Sequence, residues 1–265
     1  MRGMRDDLPG SDPHEPLAAR IWTYWLGGTE HFPVDRRAAD RFARTFPDIV
    51  ELARVGRYFL GRVVRFLTVE AGVRQFLDIG PGLPTAGSTH LVAQRLTPGA
   101  RVLYADNDPA VLAHARALLD EPGEGATHYV AADLRRPETI LDAASATLDL
   151  DRPVGLLLMG VLAYVPEYEE ARSLVKTLLD GLPQGSYLAL RDGVDTHPGY
   201  VRAMHHHNAV AATPYHLRTP EQLAGYLDGL ELVEPGVVPC PQWRPDPAPW
   251  PRPEVALLGA VGRKP

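Results

Sequence analysis

Three groups of residues in this chain have the types and spacing to hold a nucleotide-like ligand. Phe76-Leu77-Asp78-Ile79 is a short apolar run that leads directly into Gly80-Pro81-Gly82-Leu83-Pro84-Thr85. An apolar run bounded by glycine and proline marks a buried parallel strand. Gly80 and Gly82 lack a Cβ, so they can take positive φ and let a ligand approach the backbone. Pro84 suits the first turn of a helix, where its missing N–H is not needed. Two further predicted strands end on carboxylates, Asp106 and Asp133. A carboxylate after the second strand can accept from both hydroxyls of a ribose, and one after the third can accept from the exocyclic amine of a base. Either aspartate alone also reads as a helix cap, because both shortly precede helix starts. Their common phase with the glycine loop favours a ligand. A dinucleotide or a sulfonium nucleoside would fit. Thr85 stands where the dinucleotide fingerprint has its third glycine, which counts against NAD, and the loop has no Lys-Ser/Thr pair for a triphosphate.

The elements that must position these groups follow from periodicity. A helix is expected to start at Ser11 or Asp12, run through Ala18 to Leu26, and stop at Gly27-Gly28. Asp35 to Phe42 reads as a second helix. Ile49, Leu52, Val55, Phe59, Val63, Phe66 and Leu67 give a third helix one apolar face. From Gln75 on, strands and helices alternate. Strands are expected at 76–79, 101–106, 129–133, 154–159 and 187–192, with helices between them. Thr219-Pro220-Glu221-Gln222 reads as a capping box for a helix to Leu230. Two last strands follow, at 233–238 and 255–261. The order implies a doubly wound, mostly parallel sheet that binds its ligand at the carboxyl ends of the strands. The predicted division is a tail and helical cap over 1–72 and an α/β domain over 73–265.

Composition narrows the class. At 265 residues the chain can bury one sizeable core. The net charge of −6 argues against a nucleic-acid binder, which usually carries a basic stripe. No apolar stretch reaches the ~18 residues that a membrane helix requires. The single cysteine, Cys240, excludes an internal disulfide framework and fits a reducing, cytoplasmic setting. The run His205-His206-His207 suggests a metal, but adjacent helical residues point in different directions, so no metal site is expected there.

The motifs also carry a resemblance. The run Ala19-Arg20-Ile21 to Leu26-Gly27-Gly28, with Asp35-Arg36, is followed by Gln75 to Gly80 with Gly82-Leu83-Pro84-Thr85. Thr89-His90, Tyr104 with Asp106-Asn107-Asp108-Pro109, His216-Leu217-Arg218-Thr219, Trp243-Arg244-Pro245-Asp246 and Gly262-Arg263-Lys264 continue the pattern. Together they resemble the class I S-adenosyl-L-methionine-dependent methyltransferases. More narrowly, they resemble the actinobacterial S-adenosyl methyltransferase family formerly catalogued as a domain of unknown function. The resemblance implies a Rossmann-like seven-stranded sheet, mostly parallel with the last strand antiparallel, under an N-terminal helical cap. It implies S-adenosyl-L-methionine as cofactor. Gly80, Pro81, Gly82 and Leu83 would receive the methionyl part, and Asp106 the ribose, with Asn107 beside the adenine. Asp133 and Leu134 would contact the adenine, Met159 and Gly160 would line the sulfonium, and Tyr24 and Gly28 would help cap the site.

The expected reaction is methyl transfer to an unidentified small-molecule acceptor. Tyr164, after the fourth strand, is the catalytic residue singled out, although a lid or packing role explains it better; Asp192 and His197 are second choices for a base. Thr23 stands where the family pattern has an acidic residue, and His31 and Gly56 where it has asparagine. Those departures motivate an alternative, a protein that binds the sulfur nucleoside without transferring a methyl group.

Overall fold

The computed structural model describes residues 12–85, 87–118, 126–247 and 252–265, with the side chains of 115–118 left aside. The first eleven residues, Leu119 and Trp250 lie outside the described residues. Three helices come first: α1 (Ala18–Trp25), α2 (Pro33–Thr45) and α3 (Ile49–Val69). The alternating part follows as β1 (Gln75–Ile79), α4 (Thr89–Leu96), β2 (Arg101–Asp106), α5 (Pro109–Leu118), β3 (Thr127–Ala131) and α6 (Pro137–Thr147). It continues through β4 (Gly155–Met159), α7 (Tyr168–Asp180) and β5 (Tyr187–Gly193). After α8 (Pro198–Asn208) and α9 (Pro220–Gly225) come β6 (Glu231–Leu232), β7 (Val238–Pro239) and β8 (Leu257–Arg263).

The strands run in the order β3-β2-β1-β4-β5-β8-β6, with β7 also paired to β8. Pairings from β3 to β5 are parallel, and β8 runs antiparallel to β5. The order reverses between β1 and β4, the switch point where a doubly wound sheet opens a crevice. β1 is buried at all five residues, as the uninterrupted apolar run predicts for a strand covered on both faces. The core is continuous from α1–α3 through the sheet, so the N-terminal helices and the sheet share it. No helix among the described residues is long and apolar enough to cross a membrane.

Several element boundaries differ from the sequence reading; β8 runs two residues later than expected and α2 extends beyond Asp35–Phe42 at both ends. α1 begins at Ala18, not at residue 13, because Asp12 accepts from the His14 N–H in a local turn and Pro16 follows. β3 lies two residues earlier than expected, so Asp133 sits on the loop beyond the strand. The strand expected at 233–238 is two short pieces on the same β8 edge, separated by Pro235-Gly236; proline there offers no ladder N–H. The capping box at Thr219 and Gln222 forms as read, but its helix ends at Gly225.

Candidate functional site

The residues that face the switch point come from adjacent strand ends held in register. Ile79 pairs with Ala105 on one side and with Leu158 on the other, and Met159 pairs with Arg191. One residue on, the strand ends present Asp106, Gly80, Met159 and Arg191 side by side, one strand spacing of about 4.8 Å apart. Beyond β1 the chain turns sharply. Gly80 and Gly82 both have φ of +68°, a conformation that costs glycine little and other residues much. A Cβ on Gly80 would also stand 2.6 Å from Val161 Cγ2, so this glycine lets the turn after β4 pack against the loop.

A cavity of about 410 Å³ opens over this row, within the usual ~300–1,000 Å³ of small-molecule sites. Gly80, Pro81, Gly82, Leu83, Asp106, Asn107, Asp133, Leu134, Met159, Gly160 and Tyr164 all line it. Asp106 is 8% exposed, and its carboxylate accepts from the Asp108 N–H at 2.9 Å and the Gly82 N–H at 3.4 Å. Burial raises its pKa to about 6, against the hydrogen bonds that hold it down. Asp133 accepts from Arg135 N and from Asn107 Nδ2, at 2.9 and 3.1 Å. Neither aspartate caps a helix. Asp108 serves the first turn of α5 through Ala110 N, and the α6 N-cap, Arg136, makes no side-chain cap.

Tyr24 and Gly28 do not reach the cavity. Its wall here is Leu17, Ala18, Ala19, Trp22, Thr23 and Leu26, of which residues 19, 22, 23 and 26 form an i, i+3, i+4, i+7 stripe on one face of α1 and its C-cap. Tyr24 falls off that phase; its hydroxyl donates to Asp40 and its ring packs edge-on against His31. Gly28 packs on Thr23, whose Cγ2 would lie 2.6 Å from an added Cβ. The α1 wall is held by Asp35 of α2. Its buried carboxylate accepts from Leu17 N at 2.9 Å, Phe32 N at 2.7 Å and Arg20 Nε at 2.7 Å, and the Arg20–Asp35 pair is 2% and 0% exposed.

The base candidates fare differently. Tyr164 lines the cavity, and burial raises its pKa, so it remains a neutral phenol at neutral pH. Asp192 is buried beneath it. One oxygen takes the Tyr215 hydroxyl and Gly193 N, the other Ala163 N. His197 is the N-cap of α8; its Nδ1 accepts from Gly199 and Tyr200 N–H groups, and its ring packs on Phe46. Within the histidine run, His207 packs on Phe42. Among the described residues there is no group of three metal-ligating side chains.

Sequence reasoning missed the cationic side of the site. Arg57 of α3 and Arg191 of β5 both line the cavity and a small neighbouring pocket that is also lined by Asp78, Ser88 and Thr89. Among the described residues, the ion pairs all use other basic groups, so neither guanidinium has a carboxylate partner. Asp78 accepts from Thr89 Oγ1 at 2.7 Å through one oxygen, while the other, Oδ1, is buried without a partner. Burial raises its pKa to about 6. Arg57 lies mid-helix among apolar residues and Arg191 at a strand end; only the strand-end position carried a signal in the sequence.

A glycine loop at a switch point, carboxylates after β2 and β3, and a final antiparallel strand define a class I nucleotide-cofactor fold. The profile of the S-adenosyl methyltransferase family matches residues 5–265, and the chain belongs to that family. It is therefore an S-adenosylmethionine-dependent methyltransferase by family. The structure of a DUF574 family protein from Streptomyces avermitilis is 41% identical with a TM-score of 0.89, covering 94% of this chain and 98% of that one. A candidate methyltransferase from Thermobifida fusca is 39% identical with a TM-score of 0.88, covering 97% of each. An O-methyltransferase family protein from Burkholderia thailandensis shares the fold alone, at 16% identity and TM-score 0.53, over 95% of this chain and 64% of that one. No curated protein matches the chain at a significant level.

Proposed function

We propose that the cavity holds S-adenosylmethionine with adenosine over the ends of β1–β3 and the methionyl tail toward α3, and that a small-molecule acceptor enters on the β4–β5 side. The observation that carries this reading is the row Asp106, Gly80, Met159, Arg191 across four neighbouring strand ends. Asp106 accepts from the ribose hydroxyls, Asp133, Leu134 and Asn107 meet the adenine, and the backbone of Gly80 to Leu83 faces the methionyl chain. Met159 and Gly160 flank the sulfonium. The orphaned Asp78 Oδ1 and the unpaired Arg57 suit an ammonium and a carboxylate, the two charged groups of an amino-acid tail.

When bound, the cofactor supplies a methyl group on sulfonium sulfur: the acceptor's lone pair bonds to the methyl carbon as the C–S electrons return to sulfur, leaving S-adenosylhomocysteine. The protein's share is to hold the acceptor atom about 3 Å from that carbon and to exclude water. Trp22, Thr23 and Leu26 perform the exclusion from α1. Tyr164, kept as a phenol by burial, donates a hydrogen bond that orients the acceptor and does not serve as a base. A cavity of about 410 Å³ that first admits the cofactor leaves room for a small acceptor only. The lone buried Cys240 supports a reducing, cytoplasmic setting.

Calorimetric titration with S-adenosylmethionine, S-adenosylhomocysteine and NAD tests the assignment. Micromolar binding of the two sulfur nucleosides and none of NAD is expected. Binding of NAD, or of none of the three, would defeat it.

A further inference from the structure

We infer that the methyl acceptor is an anion, a small carboxylate-bearing molecule whose charged group pairs with Arg191. The inference rests on the proposed placement of the cofactor. Arg191 occupies a seat built for it. Gly56 lies in the middle of α3, where glycine costs roughly 0.5–1 kcal/mol relative to alanine. A Cβ there would stand 3.0 Å from both Cζ and Nε of Arg191. A Cβ on Gly160 would stand 3.2 Å from its Nη1. The guanidinium lies over the Trp22 ring, 5.6 Å from the centroid, and its Nε is buried without a partner. Two glycines and an aromatic face thus admit a positive charge to the cavity wall, and among the described residues no carboxylate pairs with it by contact.

The unfilled donors of this guanidinium then select the missing partner. The cofactor's tail brings one carboxylate and one ammonium, which Arg57 and Asp78 satisfy between them. Its sulfonium adds a positive charge beside Met159, next in register to Arg191. The nearest carboxylate in sequence, Asp192, is committed to Tyr215, Gly193 and Ala163. Asp192 keeps its charge behind these neutral donors but makes no ion pair with Arg191, so the guanidinium faces the acceptor space beside the sulfonium with no carboxylate in contact with it among the described residues. A carboxylate can take two parallel N–H donors of a guanidinium, so the pairing also fixes the acceptor's orientation. Trp22 and Tyr164 on the same wall suit an aromatic or apolar body.

Benzoate and its uncharged analogue benzamide, titrated into protein saturated with S-adenosylhomocysteine and followed by tryptophan fluorescence, test this. Wild-type protein is expected to bind benzoate at least about tenfold more tightly than benzamide. Arg191→Gln is expected to remove that preference while its affinity for S-adenosylhomocysteine stays within about threefold of wild type. Three results would overturn the inference. One is no preference for benzoate in the wild type, a comparison that stands whether or not the variant folds. Another is an undiminished preference in Arg191→Gln. The third is a tenfold loss of S-adenosylhomocysteine affinity in a variant that keeps its melting transition, which would hand the guanidinium to the cofactor. Failure of wild-type protein to bind S-adenosylhomocysteine at all would instead strike the cofactor placement.

Discussion

The two halves of the cavity are built by different means. Over β1–β3 the wall is acidic and made of consecutive residues at strand ends: the glycine turn, Asp106-Asn107 and Asp133-Leu134. Each carboxylate is already anchored by backbone N–H groups of its own loop, so its position is set locally. Over β4–β5 the wall is cationic and aromatic, assembled from α1, α3 and β5. Arg57, Trp22 and Arg191 are far apart in sequence and meet only through tertiary packing. Local hydrogen bonds define the half that would hold the invariant adenosine, and long-range packing defines the half that would meet the cofactor's tail, through Arg57, and the acceptor, through Trp22 and Arg191. A site divided this way can change acceptor by altering helix-borne residues while leaving the nucleotide contacts untouched.

The most severe way to break the contrast is to release the wall of the packed half. Asp35→Ala would leave Arg20 buried without its carboxylate and free the N–H groups of Leu17 and Phe32. Removing one partner of a buried pair costs roughly 3–5 kcal/mol, so chemical denaturation should show a loss of that order. The acidic half, which has its own loop contacts, should keep its affinity for 5′-methylthioadenosine at temperatures where the variant remains folded.

Two substitutions then separate the halves by ligand. Asp106→Ala should weaken S-adenosylhomocysteine and 5′-methylthioadenosine alike, by about 10–100-fold, the worth of charge-assisted bonds to two hydroxyls. Arg57→Gln should weaken S-adenosylhomocysteine by about tenfold and leave the tail-less nucleoside within about twofold. Equal effects of Arg57→Gln on both ligands, read by calorimetry, would place the tail elsewhere.

The same division explains what could be read from the sequence. The acidic half was legible because strand, turn and carboxylate are contiguous, and their spacing survives a two-residue error in where β3 ends. The reading failed where a residue's direction depended on helix phase. The resemblance put Tyr24 at the site, but only the packing of α1 on the loop, with Ala19 3.8 Å from an added Gly82 Cβ, decides that residues 19, 22, 23 and 26 face inward. Arg57 carries no signal in the sequence beyond its place in the third helix. Gly56 appeared as a departure from the family pattern, and its meaning emerges only with Arg191 beside it. Asp78 read as part of an apolar strand; its orphaned oxygen is a property of the cleft between β1, α3 and α4.

Asp78 also yields the smallest effect and the one with the clearest sign. Its pKa in the folded protein is raised from 3.8 to about 6 by burial, as are those of Asp106 and Asp192. Between those two pH values the native protein holds a proton that the unfolded chain has released, so unfolding loses protons and stability falls as pH rises. The stability that these groups contribute is full below about pH 4 and gone once pH has passed 6. The ligand-free protein should therefore be more stable near pH 5 than near pH 7. Asp78→Asn, which removes the buried charge, should raise stability at pH 7 by on the order of 1–2 kcal/mol and flatten part of that slope. It should also weaken S-adenosylhomocysteine, by removing the acceptor for its ammonium, while sparing 5′-methylthioadenosine. A variant both less stable at pH 7 and unchanged in affinity would mean that Asp78 serves the fold through Thr89 and faces no ligand. Denaturation curves across pH 4–8, with both nucleosides titrated at pH 7, separate the two, because a residue kept for a ligand raises the stability of the empty site when its charge is removed.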